Sequence, residues 1–288
     1  MELTFKSYAK INLALKVLGK ASKGYHKIET VMQLVDLYDT MSFEKLDEDS
    51  IVVNSTNKEL ENEDNLAYKA ASLLKSKFHV KFGVRINIEK IIPLASGLGG
   101  GSSNAATTLT ALNKLWKLKI PEKKLIDLST DLGSDTPFFI TGSTALVYGI
   151  GDKLKPVKKS HKMNIVLINP GFKVYTKDAY KMIDKFKRSK RKPNSKSPPI
   201  QNLIKSMAQN DFEGIASNIS NDFEEMLLKK YPIMSEIKSN MLRNRALNAT
   251  VSGSGPTMFG IFESIYTARE AYYELRDIYP FVYLTKTL

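Results

Sequence analysis

Apolar and polar residues alternate at period two through 3–19, LTFKSYAKINLALKVLG, and predict one or two β-strands at the start of the chain. TMSFEKL (40–46) and IVVNST (51–56) read as further short strands. In NLAYKAASLLKSKF (65–78) the period changes: Leu66, Ala70, Leu73 and Leu74 fall at helical spacing behind Asp64 and Asn65, a polar pair suited to an N-cap. VRINIEKII (84–92) alternates again and predicts a strand that runs into a glycine-rich stretch. From Ser102 a helix is predicted with Ala105, Leu109, Leu112 and Trp116 on one face. A second follows over 121–133, opened by Pro121 and closed by Gly133. GSDTPFF (133–139) predicts a turn entering an apolar strand.

The second half mixes both periods. A strand is predicted at MNIVLINP (163–170), helices near 177–186, 200–229 and 232–245, and a strand over 249–262. A last helix over 264–279 precedes a terminal strand. Strands and helices segregate rather than alternate strictly, which favours an α+β chain in two lobes. The expected division is 1–155 and 156–288.

The chain has 288 residues, 42% hydrophobic and 25% charged, enough for a sizeable core. Cysteine is absent, which excludes disulfides and thiolate metal sites and suits a reducing cytoplasm. The first twenty residues thread lysines through apolar positions and lack the unbroken apolar run of a signal peptide. No stretch approaches the ~18 apolar residues needed to span a bilayer. A soluble protein is expected, with no membrane partner.

The formal charge is +13, which attracts polyanions or phosphorylated small molecules. Much of the excess sits in KFKRSKRKPNSKSPP (185–199), with seven basic residues, three prolines and no acid, read as a surface loop. Its only aromatic is Phe186, so it offers no stacking platform for nucleic acid.

The densest chemical signal is PLASGLGGGSSNAAT, Pro93 to Thr107, with four glycines in the five positions 97–101. It lacks the lysine that ends a Walker A loop, and Ser102 stands where a dinucleotide fingerprint needs its third glycine. What remains is a strand, a row of bared backbone N–H groups, and a helix N-terminus at Ser102 and Ser103. That combination binds anions, and a phosphate chain is the expected ligand. A tight turn alone would need one or two glycines.

YAKINLALKV (8–17), PLASGLGGGSSNAA (93–106) and VSGSGPTMF (251–259) together resemble the three motifs of the GHMP kinases. GYH (24–26), GSDTPFF, GIGDKL (149–154) and NDFE (221–224), in that order, narrow the resemblance to the branch acting on a cytidyl diphosphate of methylerythritol. It implies a two-lobed α+β fold, with the phosphate loop between strand and helix in an N-terminal ATP-binding lobe and an α/β C-terminal lobe. It also implies phosphorylation of the substrate's 2-hydroxyl by ATP with Mg²⁺, in the non-mevalonate route to isoprenoid precursors, by a cytoplasmic monomer or weak homodimer.

Carried over position by position, the resemblance makes Asp135 the candidate base and Lys10 its cationic neighbour. An ordinary reading would make them a turn cap and a solvated strand lysine. It assigns ATP to Asn65, Lys90, Pro93, Leu94, Ala95, Ser96, Gly97, Leu98, Gly99, Gly100, Gly101, Ser102 and Ser103. It assigns the substrate to Asn12, Tyr25, His26 and Tyr175, with Tyr25 stacking on cytosine and His26 bonding the base edge. No protein metal site is implied; Ser103 is the one candidate contact for Mg²⁺. The third motif is expected to brace the loop. The sequence departs from the family at Tyr8, where proline is usual, at Ala21-Ser22-Lys23, where Arg-x-Asp precedes the GYH, at Ser96, and at Arg245. A GHMP kinase for another alcohol, such as homoserine, and a basic nucleic-acid binder are the rival readings.

Overall fold

The computed structural model describes residues 2–21, 26–158, 160–189 and 199–288. The first half carries strands β1 (Glu2–Lys20), β2 (His26–Leu46) and β3 (Ile51–Ser55), then helix α1 (Leu66–Phe78) and strand β4 (Gly83–Glu89). Helices α2 (Gly100–Leu115), α3 (Glu122–Ser129) and α4 (Thr136–Thr141) follow, then β5 (Thr144–Gly149) and β6 (Lys153–Pro156). The second half has β7 (Asn164–Asn169), α5 (Thr176–Ser189), α6 (Ile200–Gln209), α7 (Phe212–Asn218), β8 (Ser220–Asn221) and α8 (Glu224–Lys230). It ends with α9 (Pro232–Arg243), β9 (Asn248–Val251), β10 (Met258–Phe262), α10 (Ile265–Leu275) and β11 (Phe281–Lys286).

These elements form two compact units, each gathered from several pieces of chain. The first comprises Met1–Ala9, Leu37–Leu94 and Gly99–Gly142. In it β2 pairs antiparallel with β4 (Thr40 opposite Glu89 through Leu46 opposite Gly83), and β3 pairs parallel with β4. The alternation read along β4 buries Val84, Ile86 and Ile88 and turns Arg85, Asn87 and Glu89 outward. Val84, Ile86 and Ile88 pack with Ala67, Ala70, Ala71 and Leu74 of α1 and with Ala105, Leu109 and Leu112 of α2. The apolar face read on α2 is the buried one.

The second unit comprises Lys10–Asp36, Ala95–Leu98 and Ser143–Leu288. Its four-stranded antiparallel sheet runs β11-β7-β10-β9, and β8 adds a short parallel pairing to β1, Ala14 opposite Ser220. Helices α5, α8, α9 and α10 close one core with that sheet through Ile183, Leu227, Met234, Ile237 and Ala271.

Five expectations need correction. TPFFIT is helix α4, not a strand: Pro137 sits in its first turn, where a missing N–H costs nothing, and Gly142 (φ 72°) ends it. The single helix over 200–229 is three, broken at Asn210 (φ 55°) and again at Ile219, where the chain extends into β8. The strand over 249–262 is two, β9 and β10, joined by the turn at 252–257. TMSFEKL is only the end of the 21-residue β2, and β5 and β6 went unread. Residues 185–189 of the expected basic loop are the last turn of α5; 190–198 lie outside the described residues.

Candidate active site

The glycine loop contributes to both units, and each half has its own geometry. In the second unit, strand β1, the segment Ala95–Leu98 and the turn 252–257 converge. The Lys10 amide donates to the Leu98 carbonyl (3.0 Å), the Thr257 amide to the Ser96 carbonyl (3.1 Å), and the Ser252 hydroxyl to the Gly97 carbonyl (3.0 Å). A Cβ on Gly97 (φ 82°) would lie 2.1 Å from the Ser252 carbonyl, so this glycine exists for backbone contact. A Cβ on Gly253 would lie 3.0 Å from Gly97 O, 3.1 Å from Lys10 Nζ and 3.3 Å from Asn12 Oδ1.

Lys10, Asn12 and two family motifs therefore meet at one point. The third motif braces the loop, as expected. Lys10 is 3% exposed, so the solvated-lysine reading fails; its ammonium donates to Asn12 Oδ1. Asn12 in turn donates to Thr30 Oγ1 (2.8 Å), which donates to the Ala14 carbonyl (2.6 Å).

Sequence reasoning gave NDFE no role, yet it holds this corner. Asn221 Nδ2 donates to the Val251 and Gly253 carbonyls, 2.8 Å each, and pins the turn. Asp222 accepts from the Val17 amide (2.9 Å), and Glu224 pairs with Lys238 and Thr250.

In the first unit, α2 begins at Gly100 behind Gly99, whose φ of 73° is left-handed, and no side chain caps its first amides. A Cβ on Gly100 would meet Ile92 Cγ2 and Lys90 Nζ at 3.0 Å; on Gly101 it would meet only Leu66 Cδ1, at 3.5 Å. The turn carrying Asp135 borders this helix start, because a Cβ on Gly133 would lie 3.4 Å from Thr136 Oγ1 and 3.7 Å from Ser102 Oγ. Asp135 is the residue before α4, and its side chain makes no cap hydrogen bond to that helix. Thr136 Oγ1 is buried beside it without a protein partner.

Ser103 is buried and accepts a hydrogen bond from the Ser7 hydroxyl (2.8 Å). Lys90 is a buried ion pair with Asp39, Nζ to Oδ2 2.7 Å, and burial pushes its pKa below the ordinary lysine value against the pull of Asp39. Asn65 is the N-cap of α1: Oδ1 accepts from the Ala67 amide (2.9 Å) and Nδ2 donates to the Leu60 carbonyl (2.8 Å). Asn65 thus fills the role of a helix cap, and Lys90, with its side chain 5% exposed, is not a solvated strand lysine. Pro93 and Leu94 are half-buried.

For the expected base-binding residues, Tyr25 lies outside the described residues. His26 Nε2 sits 2.8 Å from Asp184 Oδ1, and its ring stacks on Tyr180 at 4.6 Å between centroids. A carboxylate only accepts, so Nε2 carries the proton in this hydrogen bond. Burial would raise Asp184, but its hydrogen bonds from His26 and Lys20 outweigh that and hold it below the usual carboxylate range. Tyr175 is 59% exposed and lines a cleft of about 340 Å³ with Tyr231, Lys181, Lys185 and Lys230, a lining that excludes His26. The ring against His26 is Tyr180, which sequence reasoning missed although it stands five residues on in the same motif.

No group of three or more His, Cys, Asp or Glu side chains able to hold a metal occurs among the described residues. No helix among them is long and apolar enough to cross a membrane.

A glycine loop that opens an uncapped helix has the form of an anion site, and comparison supplies the family. The profile described as GHMP kinases N terminal domain matches residues 65–143, and that described as GHMP kinases C terminal matches 203–280. The chain belongs to the GHMP kinases, and its fold is theirs. Among relatives, the 4-diphosphocytidyl-2-C-methyl-D-erythritol kinase of Caldicellulosiruptor bescii is 41% identical, over 99% of this chain and 98% of the relative. That of Clostridioides difficile is 42% identical, over 99% and 95%. A crystal structure of 4-(cytidine 5'-diphospho)-2C-methyl-D-erythritol kinase superposes with a TM-score of 0.83 at 29% identity, covering 99% of both chains.

Proposed function

We propose that this chain is an ATP-dependent kinase that phosphorylates the 2-hydroxyl of 4-diphosphocytidyl-2-C-methyl-D-erythritol, in the non-mevalonate route to isoprenoid precursors. The observation that carries the reading is identity of about two residues in five along the whole chain to relatives named for that activity. Homoserine as acceptor is not favoured by any comparison of that strength.

In this reading the uncapped first amides of α2 and the segment Pro93 to Ser103 receive the phosphate chain of ATP, within an ATP-binding lobe 1–155. Asp135 accepts the proton of the hydroxyl as its oxygen attacks the γ-phosphorus. The bond to the β,γ-bridging oxygen breaks and ADP leaves. Lys10 supplies positive charge to that step, and Asn12 orients it. Mg²⁺ would neutralise phosphate charge and would be held chiefly by phosphate oxygens and water, with the Ser103 hydroxyl as its candidate protein contact. The orphaned Thr136 hydroxyl fits a site that awaits a polar ligand.

Tyr25 and His26 take the cytosine, with Tyr175 a further aromatic of the C-terminal lobe 156–288. In this reading His26 binds as the neutral ring with Nε2–H on Asp184, so that Nδ1 accepts from the 4-amino group of cytosine and does not match the 4-oxo group of uracil. A cytoplasmic monomer or weak homodimer without nucleic-acid partner is the proposed working form; the cysteine-free composition and the resemblance support it. The test is an assay of ADP release with the cytidyl alcohol, its uridyl analogue and homoserine. Turnover of homoserine with none of the cytidyl compound would refute the substrate while keeping the kinase.

A further inference from the structure

We propose that Asp39 is a positioning residue of the phosphate loop, fixing the direction in which the first turn of α2 presents its amides to ATP. The inference rests on the reading of that loop as the ATP phosphate site. Asp39 is wholly buried, and its carboxylate accepts four hydrogen bonds. Oδ1 takes the backbone amides of Ile91 and Ile92, both at 2.8 Å, where the chain leaves β4 toward the loop. Oδ2 takes Lys90 Nζ at 2.7 Å and Asn104 Nδ2 at 3.0 Å, and Asn104 lies in the first turns of α2.

One carboxylate therefore ties the entry of the loop to its exit. Asn104 Nδ2 also donates to the Ser7 hydroxyl (2.8 Å), which donates to Ser103 (2.8 Å), so the clasp reaches the candidate Mg²⁺ contact. Lys90 Nζ also donates to the Ile92 carbonyl (2.6 Å) and lies 3.0 Å from where a Cβ on Gly100 would stand. The pair thus packs directly under the first residue of the helix.

Four donors converge on two oxygens, which a carboxylate can satisfy. An asparagine cannot, since its NH₂ would face another donor. The bland alternative is an ion pair that merely holds the unit together. The two differ in what they predict: a fold-only role lowers stability and harms both substrates alike, whereas a positioning role falls on ATP.

The experiment measures KM for ATP, KM for the cytidyl alcohol, kcat and Tm in Asp39→Asn and Asn104→Ala. The second variant leaves the Asp39–Lys90 pair and the Ile91 and Ile92 bonds in place and removes the link from Asp39 to α2, together with the hydrogen bond to Ser7. Asn104→Ala should raise KM for ATP about tenfold, with KM for the alcohol within about twofold and kcat within about threefold; Asp39→Asn should go further in the same direction. An unchanged KM for ATP in Asn104→Ala overturns the proposal, as does a parallel rise of both KM values, and this variant decides alone if Asp39→Asn does not fold. Calorimetry of wild type with ATP separates the two levels. If wild type binds no ATP, the phosphate-site reading itself fails. If wild type binds ATP and Asn104→Ala binds it equally well, only the role of Asp39 fails.

Discussion

Two glycines of the loop should respond to the same substitution with opposite signs, and the contrast tests what the loop is for. At Gly101 an added Cβ meets only Leu66 Cδ1 at 3.5 Å, an ordinary contact, and the position lies in the first turn of α2. Gly101→Ala therefore relieves backbone entropy without strain and should stabilise by roughly 0.5–1 kcal/mol. For a chain of this length that raises Tm by about 1–4 °C. On the proposed reading of the loop as the ATP phosphate site, the same methyl would stand in the way of a phosphate oxygen that approaches the amides. Losing one hydrogen bond to a charged group costs about 1.5–3 kcal/mol, or roughly ten- to a hundredfold in Kd for ATP. At Gly97 the Cβ would fall 2.1 Å from the Ser252 carbonyl, at a φ of 82°. Left-handed strain and overpacking together should destabilise Gly97→Ala by roughly 2–5 kcal/mol. Thermal melts and calorimetry with ATP and Mg²⁺ read both quantities. A Gly101→Ala protein that melts higher and binds ATP within about twofold of wild type would refute the claim that a ligand approaches these amides.

Asp135→Asn should lower kcat by ~10² or more with ATP affinity nearly intact, and Lys10→Ala should act non-additively with it; near-normal turnover of Asp135→Asn would remove it as the base. His26→Ala should bring kcat/KM for the cytidyl and uridyl analogues together, because the acceptor Nδ1 is what separates a 4-amino from a 4-oxo group; retained discrimination would move that role elsewhere. Asp184 is held below its ordinary value of 3.8 by His26 and Lys20 against the upward push of burial. A carboxylate with a depressed folded pKa contributes stability above its unfolded value and loses it as pH falls through the folded one. The Tm gap between wild type and Asp184→Asn should therefore be widest near neutral pH and shrink below the unfolded value; a gap that grows in acid would contradict the pairing.

The features legible in the sequence were those carried by local periodicity. Alternation along β1 and β4 and the 3.6 spacing on α2 needed no partner to be read. TPFFIT failed that way: six mostly apolar residues fit a buried strand as well as a short helix, and Pro137 in the first turn decided for helix. The site was harder. Asp39 lies 51 residues from Lys90 and 65 from Asn104, and His26 lies 158 from Asp184. Nothing in a single chain's spacing reports such pairings. Lys90 and Asn65 both have partners within the protein, a carboxylate 51 residues away for the one and the first turn of α1 for the other.

The loop itself explains why motif density overstates ligand contact. Four glycines in five positions exceed what a turn needs, and from sequence they point to a ligand lying close against the backbone. In the structure Gly97 gives way to the Ser252 carbonyl, Gly99 takes a left-handed φ, and Gly100 packs on Ile92 and Lys90. Only Gly101 faces outward with room to spare. Two of the four therefore serve contacts within the protein and a third a left-handed backbone, and the contact at Gly97 is what lets the 252–257 turn close on the segment Ala95–Leu98. Phosphate binding and self-packing are not rival accounts of such a loop. Amides can stay bare for a ligand only where the surrounding backbone is held in place, and that holding is itself the work of glycine.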